Sequence, residues 1–439
     1  MTDPEQAKRA ASEARSEPKA SEVHKASRRR AKSTGSDGTL ANVSLRKQVS
    51  FAIVLVAAGL LLIEGAARVW LALSARPLAA IDVRSGSLET AWFEILERDL
   101  KTDLDAPGLY LPDAELFWRL RPDTALEVEN QVYQTRTRPV TWRIRINPEG
   151  QRGAGLPRAE EQASPVIAAL GDSCTFGFRV DEDETYPALL QASLREHGMP
   201  RAAVVNYGVP GYTTFQGRRL LSEILSRHRP DFVVLAFGAN DLELDVASDA
   251  AKGESISPVR LRLYSALNHL AIARLFLREP DGRRTDPDRP AQSTRVSPAE
   301  FRENLLAMLR AARGAGAHVI LLDLVLIGPV FREAIAEIAE QEDVPWLDAR
   351  EILRAGLDDL LAGRRYQQER AEIDRFWGQE VEQYRLVYYD EAFYRKLARD
   401  PIRSGLLRYL MVEPVHPSPL GNRLIAEAVG ARILGGRGP

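Results

Sequence analysis

Between residues 160 and 350 short apolar runs alternate with longer amphipathic ones. Val166–Leu170, Ala202–Val205, Asp231–Phe237, Ala317–Val325 and Pro345–Leu347 have the length of buried strands. Between them Tyr186–His197, Phe215–Arg227, Pro298–Arg313 and Phe331–Gln341 carry apolar residues at helical spacing, with Leu189, Leu190 and Leu194 on one face of the first. Apolar strands separated by helices predict a parallel sheet covered on both faces, an α/β domain of three layers. The first three strands end in polar, glycine-containing turns: Gly171-Asp172-Ser173, Asn206-Tyr207-Gly208 and Gly238-Ala239-Asn240-Asp241. Right-handed crossovers bring all three turns to one edge of the sheet, where open α/β sheets hold their ligands. One polar turn reads as a cap; three facing one crevice read as a site.

Ahead of this body the pattern changes. Residues 1–50 are polar, basic in balance and nearly free of aromatics, with Arg28-Arg29-Arg30 and Arg46-Lys47, and read as a disordered tail. Phe51–Leu73 is apolar apart from Glu64 and Arg68, which are one helical turn apart and able to pair. It is long enough to cross a bilayer, which takes ~20 residues. The basic residues before it predict a single-pass signal anchor with a cytoplasmic N-terminus and an extracytoplasmic body. A cleaved signal peptide fits poorly, because the leading segment is long and Ala72-Leu73-Ser74 is a weak small-residue site; a buried soluble helix is the other alternative. Residues 74–160 read as a linker with a small accessory β element. They offer a short helix at Glu89–Leu100, turn signals at Ala106-Pro107-Gly108 and Leu111-Pro112-Asp113, and β runs at Ala125–Tyr133 and Thr141–Ile146.

Composition narrows the function classes. The chain of 439 residues has a formal net charge of −2, which gives no global pull towards nucleic acid. Cys174 is the sole cysteine, so no disulfide framework or thiolate metal cluster exists. Neither a P-loop nor an HExxH pair occurs, and no metal or organic cofactor is implied.

Ser173 has two readings on its own stretch: a nucleophile, or part of a strand-to-helix turn in which Asp172 or Ser173 caps the helix. A serine nucleophile needs a base. Of the six histidines, His24 lies in the tail, His197 and His228 end helices, His318 begins a strand and His269 sits in an insert. His416 alone follows a carboxylate at a turn before a terminal helix, Asn422–Ile433. Cys174 reads as a small packing residue.

Gly171-Asp172-Ser173, Gly208, Gly238-x-Asn240-Asp241 and Glu413-x-x-His416 together resemble the successive motifs of the SGNH (GDSL) hydrolase superfamily, over about Pro165–Leu434. The anchor ahead of a β-containing segment resembles its membrane-bound bacterial branch. The resemblance implies a flavodoxin-like strand order, Ser173 as nucleophile, His416 as general base, and Glu413 as the carboxylate that orients it, where the family most often has Asp. It implies oxyanion donors at the Ser173 and Gly208 amides and the Asn240 side chain. Asp172 and Asp241 are expected to shape their turns through side-chain-to-backbone hydrogen bonds.

The expectation is therefore a serine esterase or deacylase acting through an acyl-enzyme on a small or polymeric ester outside the cytoplasm, such as O-acylated envelope glycan or lipid. Two alternatives stand beside it: an acyltransferase using the same Ser/His pair, and an inactive envelope-binding protein. The hydrolase domain is expected at 161–439, with inserts at 242–296 and 349–412. The first holds a helix at Leu261–Leu277 and a polar stretch at Glu279–Pro290; the second is helical and rich in aromatics, and either walls a cleft or packs as an extra hairpin.

Overall fold

The computed structural model describes residues 44–73, 109–129, 141–156, 163–245, 247–255, 259, 293–325, 331–384, 402, 405–412 and 415–435. The expected helices at Glu89–Leu100 and Leu261–Leu277, the stretch Glu279–Pro290 and Glu413 lie outside them.

Helix α1 (Leu45–Leu73) begins earlier than the apolar run, because Arg46, Lys47 and Gln48 are good helix formers with no breaker among them. Its window Leu45–Val69, of mean hydropathy 2.3, is long and apolar enough to cross a membrane. Glu64 and Arg68 pair along it at 2.9 Å.

In the body of the chain, β1 (Tyr110–Asp113) and β2 (Phe117–Leu120) form an antiparallel hairpin, as do β3 (Thr124–Glu129) and β4 (Thr141–Ile146). The first hairpin corrects the reading of Leu111-Pro112-Asp113 as a turn: Pro112 lies within β1, opposite Trp118. A two-stranded ribbon is all edge, and an edge strand tolerates a residue with no N–H. Next come β5 (Val166–Gly171), α2 (Ser173–Phe176), α3 (Tyr186–Glu196), β6 (Ala203–Gly208), α4 (Thr214–Arg227) and β7 (Phe232–Ala236). The short pair β8 (Leu244–Asp245) and β9 (Ser293–Thr294), with α5 (Asp249–Ser255) between them, knits together the two ends of the first insert. Then follow α6 (Pro298–Gly314), β10 (His318–Asp323), α7 (Arg332–Gln341), β11 (Trp346–Asp348), α8 (Ala349–Leu361), α9 (Gln367–Tyr384) and α10 (Pro419–Gly435). The last helix starts earlier than expected, with Pro419 at its first position, where a missing N–H costs nothing.

The central sheet is parallel, in the order β6-β5-β7-β10-β11. Numbered by appearance this is 2-1-3-4-5, the flavodoxin-like order, with its switch point between β5 and β7. Alternate residues serve two cores, as a doubly covered sheet requires. Ala168, Leu170, Val233, Leu235, Val319 and Leu321 pack with α4, α6 and α7, whereas Ile167, Ala169, Val234, Ile320 and Leu322 pack with α3 and α10. These are the three layers. Gly171 pairs with both Gly208 and Ala236, so the carboxyl ends of β5, β6 and β7 are level. The β3–β4 hairpin extends this sheet beyond β6 through single bridges from Arg152 to Ile146 and Asn206.

Candidate active site

The first turn caps α2 and presents the Ser173 hydroxyl at once. Asp172 caps α2, its Oδ1 accepting from the Cys174 amide at 2.9 Å. Ser173 is the first residue of that helix, and its Oγ lies 2.8 Å from His416 Nε2 in a hydrogen bond. Burial pushes the Asp172 carboxyl up to about 6, against the Cys174 amide and the charge of His416, both of which favour its ionised form.

His416 is buried and reaches Ser173 from the loop between a π-helical turn, Leu406–Leu410, and α10. The loop is pinned across its base. The Val412 amide donates to the His416 carbonyl at 2.9 Å, the Ser418 amide to Leu410 at 2.8 Å, and the Ser418 hydroxyl to the Tyr409 carbonyl at 2.9 Å. Cys174 Sγ donates to the Val415 carbonyl at 3.5 Å, joining the nucleophile helix to the histidine loop. The Phe178 ring packs on the imidazole with centroids 4.6 Å apart.

In the second turn Gly208, expected as an oxyanion donor, is held within the fold. Its amide donates to Asn206 Oδ1 at 2.9 Å and is spent within the fold. A Cβ at Gly208 would lie 2.2 Å from the Phe176 nitrogen, so glycine is needed there for close approach of β6 to the nucleophile helix. Asn206 completes the junction by donating from Nδ2 to the Thr175 carbonyl at 2.9 Å. Further along, Gly211 has a left-handed φ of 80°, and its amide has no acceptor among the described residues. This part of the turn is held from outside: Trp118 Nε1 donates to the Pro210 carbonyl at 3.1 Å, and Arg295 Nη1 to the Gly211 carbonyl at 2.8 Å.

In the third turn Asn240 Nδ2 donates to the Tyr212 carbonyl at 3.0 Å and, more weakly, to Asp172 Oδ2 at 3.4 Å. The two outer turns thus meet at Asp172. Asp241 is fully buried and accepts from the Thr214 amide at 3.0 Å and from the Thr214 hydroxyl, at the start of α4. Burial raises its carboxyl to about 7 despite these bonds and the nearby Arg295.

Two buried arginines were not singled out by the sequence reading. Arg295 forks onto Asp249 at 3.1 and 3.3 Å, and Lys252 adds a bond to Asp249 at 3.1 Å. Burial would raise the Asp249 carboxyl, but these two cations hold it below the usual carboxylate range. Arg152 lies beneath the nucleophile helix and donates to the carbonyls of Phe176, Gly177 and Val180. No local pattern distinguishes a buried arginine from a surface one. The placing of Arg152 between Gly150 and Gly153, just past β4, is a signal only in retrospect. Of the second insert's aromatic side chains that are described, Tyr366 bonds Glu427 of α10 at 2.5 Å and Tyr409 bonds Asp374 within the insert at 2.7 Å. Among the described residues no group of three or more His, Cys, Asp or Glu side chains is placed to hold a metal ion.

The chain was compared with known proteins. It is 39% identical over 83 residues to an arylesterase of Vibrio mimicus, a match covering 19% of this chain and 41% of that protein. It is 33% identical over 79 residues to thioesterase 1/protease 1/lysophospholipase L1 of Escherichia coli strain K12, covering 18% of this chain and 36% of that protein. The chain thus spans about two fifths of the length of these curated relatives. Among solved structures, the crystal structure of TesA aligns at a TM-score of 0.33 and 17% identity, over 61% of this chain and 99% of that one. The model of the GDSL-like lipase/acylhydrolase family matches residues 169–424, from the end of β5 into α10 and across all three turns and His416, and the chain belongs to that family.

Proposed function

We propose that the chain is a serine ester hydrolase acting through an acyl-enzyme. The observation that carries this reading is the 2.8 Å hydrogen bond between Ser173 Oγ and His416 Nε2 at the carboxyl edge of the parallel sheet. As the ester binds, Ser173 Oγ–H donates to His416 Nε2, and the oxygen attacks the carbonyl carbon as the imidazole takes the proton. The imidazolium then protonates the leaving alcohol, and a water activated by the same ring releases the acid. Glu413 is assigned to orient the ring from Nδ1 and to stabilise its protonated form.

The oxyanion of the tetrahedral intermediate needs fixed donors. We assign these to the Ser173 amide, at the open N-terminus of α2, to the Gly211 amide in place of Gly208, and to the Asn240 side chain, whose 3.4 Å bond to Asp172 Oδ2 is long enough to be given up to an oxyanion. Gly211 is preferred because its donor is unspent among the described residues and its carbonyl is fixed by Arg295.

The apolarity and length of α1, and the basic residues before it, support anchoring in a membrane with the body outside the cytoplasm. The proposed domains are a tail at 1–50, an anchor at 51–73, an accessory segment at 74–160 and a hydrolase domain at 161–439. That address favours an envelope ester, an O-acylated glycan or a lipid, as substrate. The test is turnover of aryl acetate and butyrate esters by the full chain in detergent, beside Ser173→Ala and His416→Ala. Both substitutions are expected to abolish turnover; activity that survives Ser173→Ala would overturn the reading.

A further inference from the structure

We propose that Arg152, delivered by the accessory β segment, is a positioning residue for the general base: it ties off the end of the nucleophile helix and so holds the Phe178 ring against His416. The proposal rests on the hydrolase reading for its catalytic meaning, though not for its geometry.

Helix α2 is a single turn, and its last carbonyls must find donors beyond the helix. Asn206 serves the Thr175 carbonyl, and Arg152 serves Phe176 and the carbonyls just beyond the helix. Nη1 donates to the Phe176 carbonyl at 2.5 Å and also to Gly177, while Nη2 donates to Val180 at 2.7 Å and to Arg143 of β4 at 3.3 Å. A cation at a helix C-terminus also meets the negative end of its dipole. Arg152 is 2% exposed and forms no hydrogen bond to a carboxylate among the described residues; its hydrogen-bond partners there are backbone oxygens. It lies over the Phe176 ring at 4.4 Å and the Trp142 ring at 5.4 Å. Its own backbone is fixed by the bridges to Ile146 and Asn206.

The carbonyls it holds bracket Phe178. Gly177 and Arg179 on either side have left-handed φ angles of 80° and 65°, and a non-glycine residue keeps such an angle only where its surroundings impose it. Trp142 of β4 meets the Phe178 ring edge-on at 5.5 Å, the Arg179 guanidinium lies over it at 5.0 Å, and the ring packs on the His416 imidazole. Below the loop, the Arg143 amide donates to Asp181 at 2.7 Å, and Arg145 forks onto Glu182 at 2.6 and 3.0 Å. The accessory hairpin therefore grips the chain on both sides of Phe178, with Arg152 as the central tie. A fork of donors onto separate carbonyls is what a guanidinium offers and an ammonium does not.

The test uses the full chain in detergent, labelled with carbon-13 at the histidine ring, with the His416 resonances identified by their loss in His416→Ala. Phe178→Ala defines the resonance positions of an unstacked imidazole. Arg152→Lys and Arg152→Met are expected to move the His416 resonances towards those of Phe178→Ala. Arg152→Lys is expected to lower kcat for an aryl ester about 10-fold with KM unmoved. The Arg152→Lys/Phe178→Ala double variant is expected to fall no further than Phe178→Ala alone, since the arginine acts through the ring. If Arg152→Met fails to fold, Arg152→Lys carries the same readouts. A folded Arg152→Lys with wild-type His416 resonances, or losses that multiply in the double variant, overturns the proposal. Wild-type turnover no higher than that of Ser173→Ala would sink the hydrolase reading alone, because the resonances still decide whether Arg152 sets the ring.

Discussion

Replacing Gly208 by alanine adds one methyl group at a place where the fold leaves none. A Cβ there would stand 2.2 Å from the Phe176 nitrogen, 2.6 Å from the Thr175 carbonyl carbon and 2.7 Å from the Phe176 Cα. All three atoms are backbone, so no side chain can swing aside, and α2 must recede from β6 by about 1 Å to restore ordinary contact. Ser173 opens that helix and sits 2.8 Å from His416 Nε2, a spacing that does not survive a displacement of this size. Misplacing a reacting group by about 1 Å costs on the order of 100-fold in rate, and overpacking of this kind costs about 1–3 kcal/mol in stability. The assay is kcat for an aryl acetate, with denaturant unfolding measured on the same preparation. Gly314→Ala is the control, because a Cβ there meets nothing within 4 Å. Gly208→Ala folded and turning over at the wild-type rate would refute the claim that the β6–α2 contact sets the nucleophile.

Three further outcomes are expected. Arg295→Met leaves Asp249 buried with Lys252 as its remaining cation and removes the donor on the Gly211 carbonyl, so unfolding should show a loss of about 3 kcal/mol; Arg295→Met/Asp249→Leu should recover part of it, and no recovery would count against the buried pair. Asp241 and Asp172 titrate near 7 and 6 in the folded chain against an ordinary 3.8, so the folded state holds more protons between those values and stability should fall as pH rises from about 4 to 7. Asp241→Asn should flatten that decline by an amount on the order of 4 kcal/mol, and an unchanged slope in pH-dependent unfolding would contradict it. The chain should sediment with membranes and be released by detergent; release by alkaline carbonate alone would argue against a spanning α1.

The sheet was legible because each strand is a short apolar run bounded by turns, and parallel strands buried on both faces can hardly be written otherwise. Ser173 and His416 could be picked out because polar turns at a strand end and before a last helix carry few residue types, and the two lie 2.8 Å apart; Asn240 was read from the same kind of turn. Gly208 was found as a glycine through the resemblance, but no sequence feature shows what the fold makes of it: the missing side chain lets α2 approach, and the amide goes to Asn206. The β1–β2 hairpin was hidden by Pro112, which reads as a breaker until the strand is known to be an edge. Arg152 and Arg295 were invisible for a deeper reason. The partners of Arg295 lie up to 84 residues away, and those of Arg152, up to 28 away, are backbone carbonyls, which leave no mark on a sequence.

The sole cysteine has a use of its own. Cys174 is 1% exposed, adjoins Ser173 and donates its thiol proton to the carbonyl just before His416. A thiol reagent reaches that sulfur when the packing around it opens, and parting of the histidine loop from α2 is one such opening. With fast reclosing, the rate of its modification is the reagent's intrinsic rate multiplied by the fraction of time the sulfur is exposed. The chain carries an internal clock for the opening of its own active site, readable without placing a label anywhere. A ligand that braces the site should slow that clock in proportion to its grip.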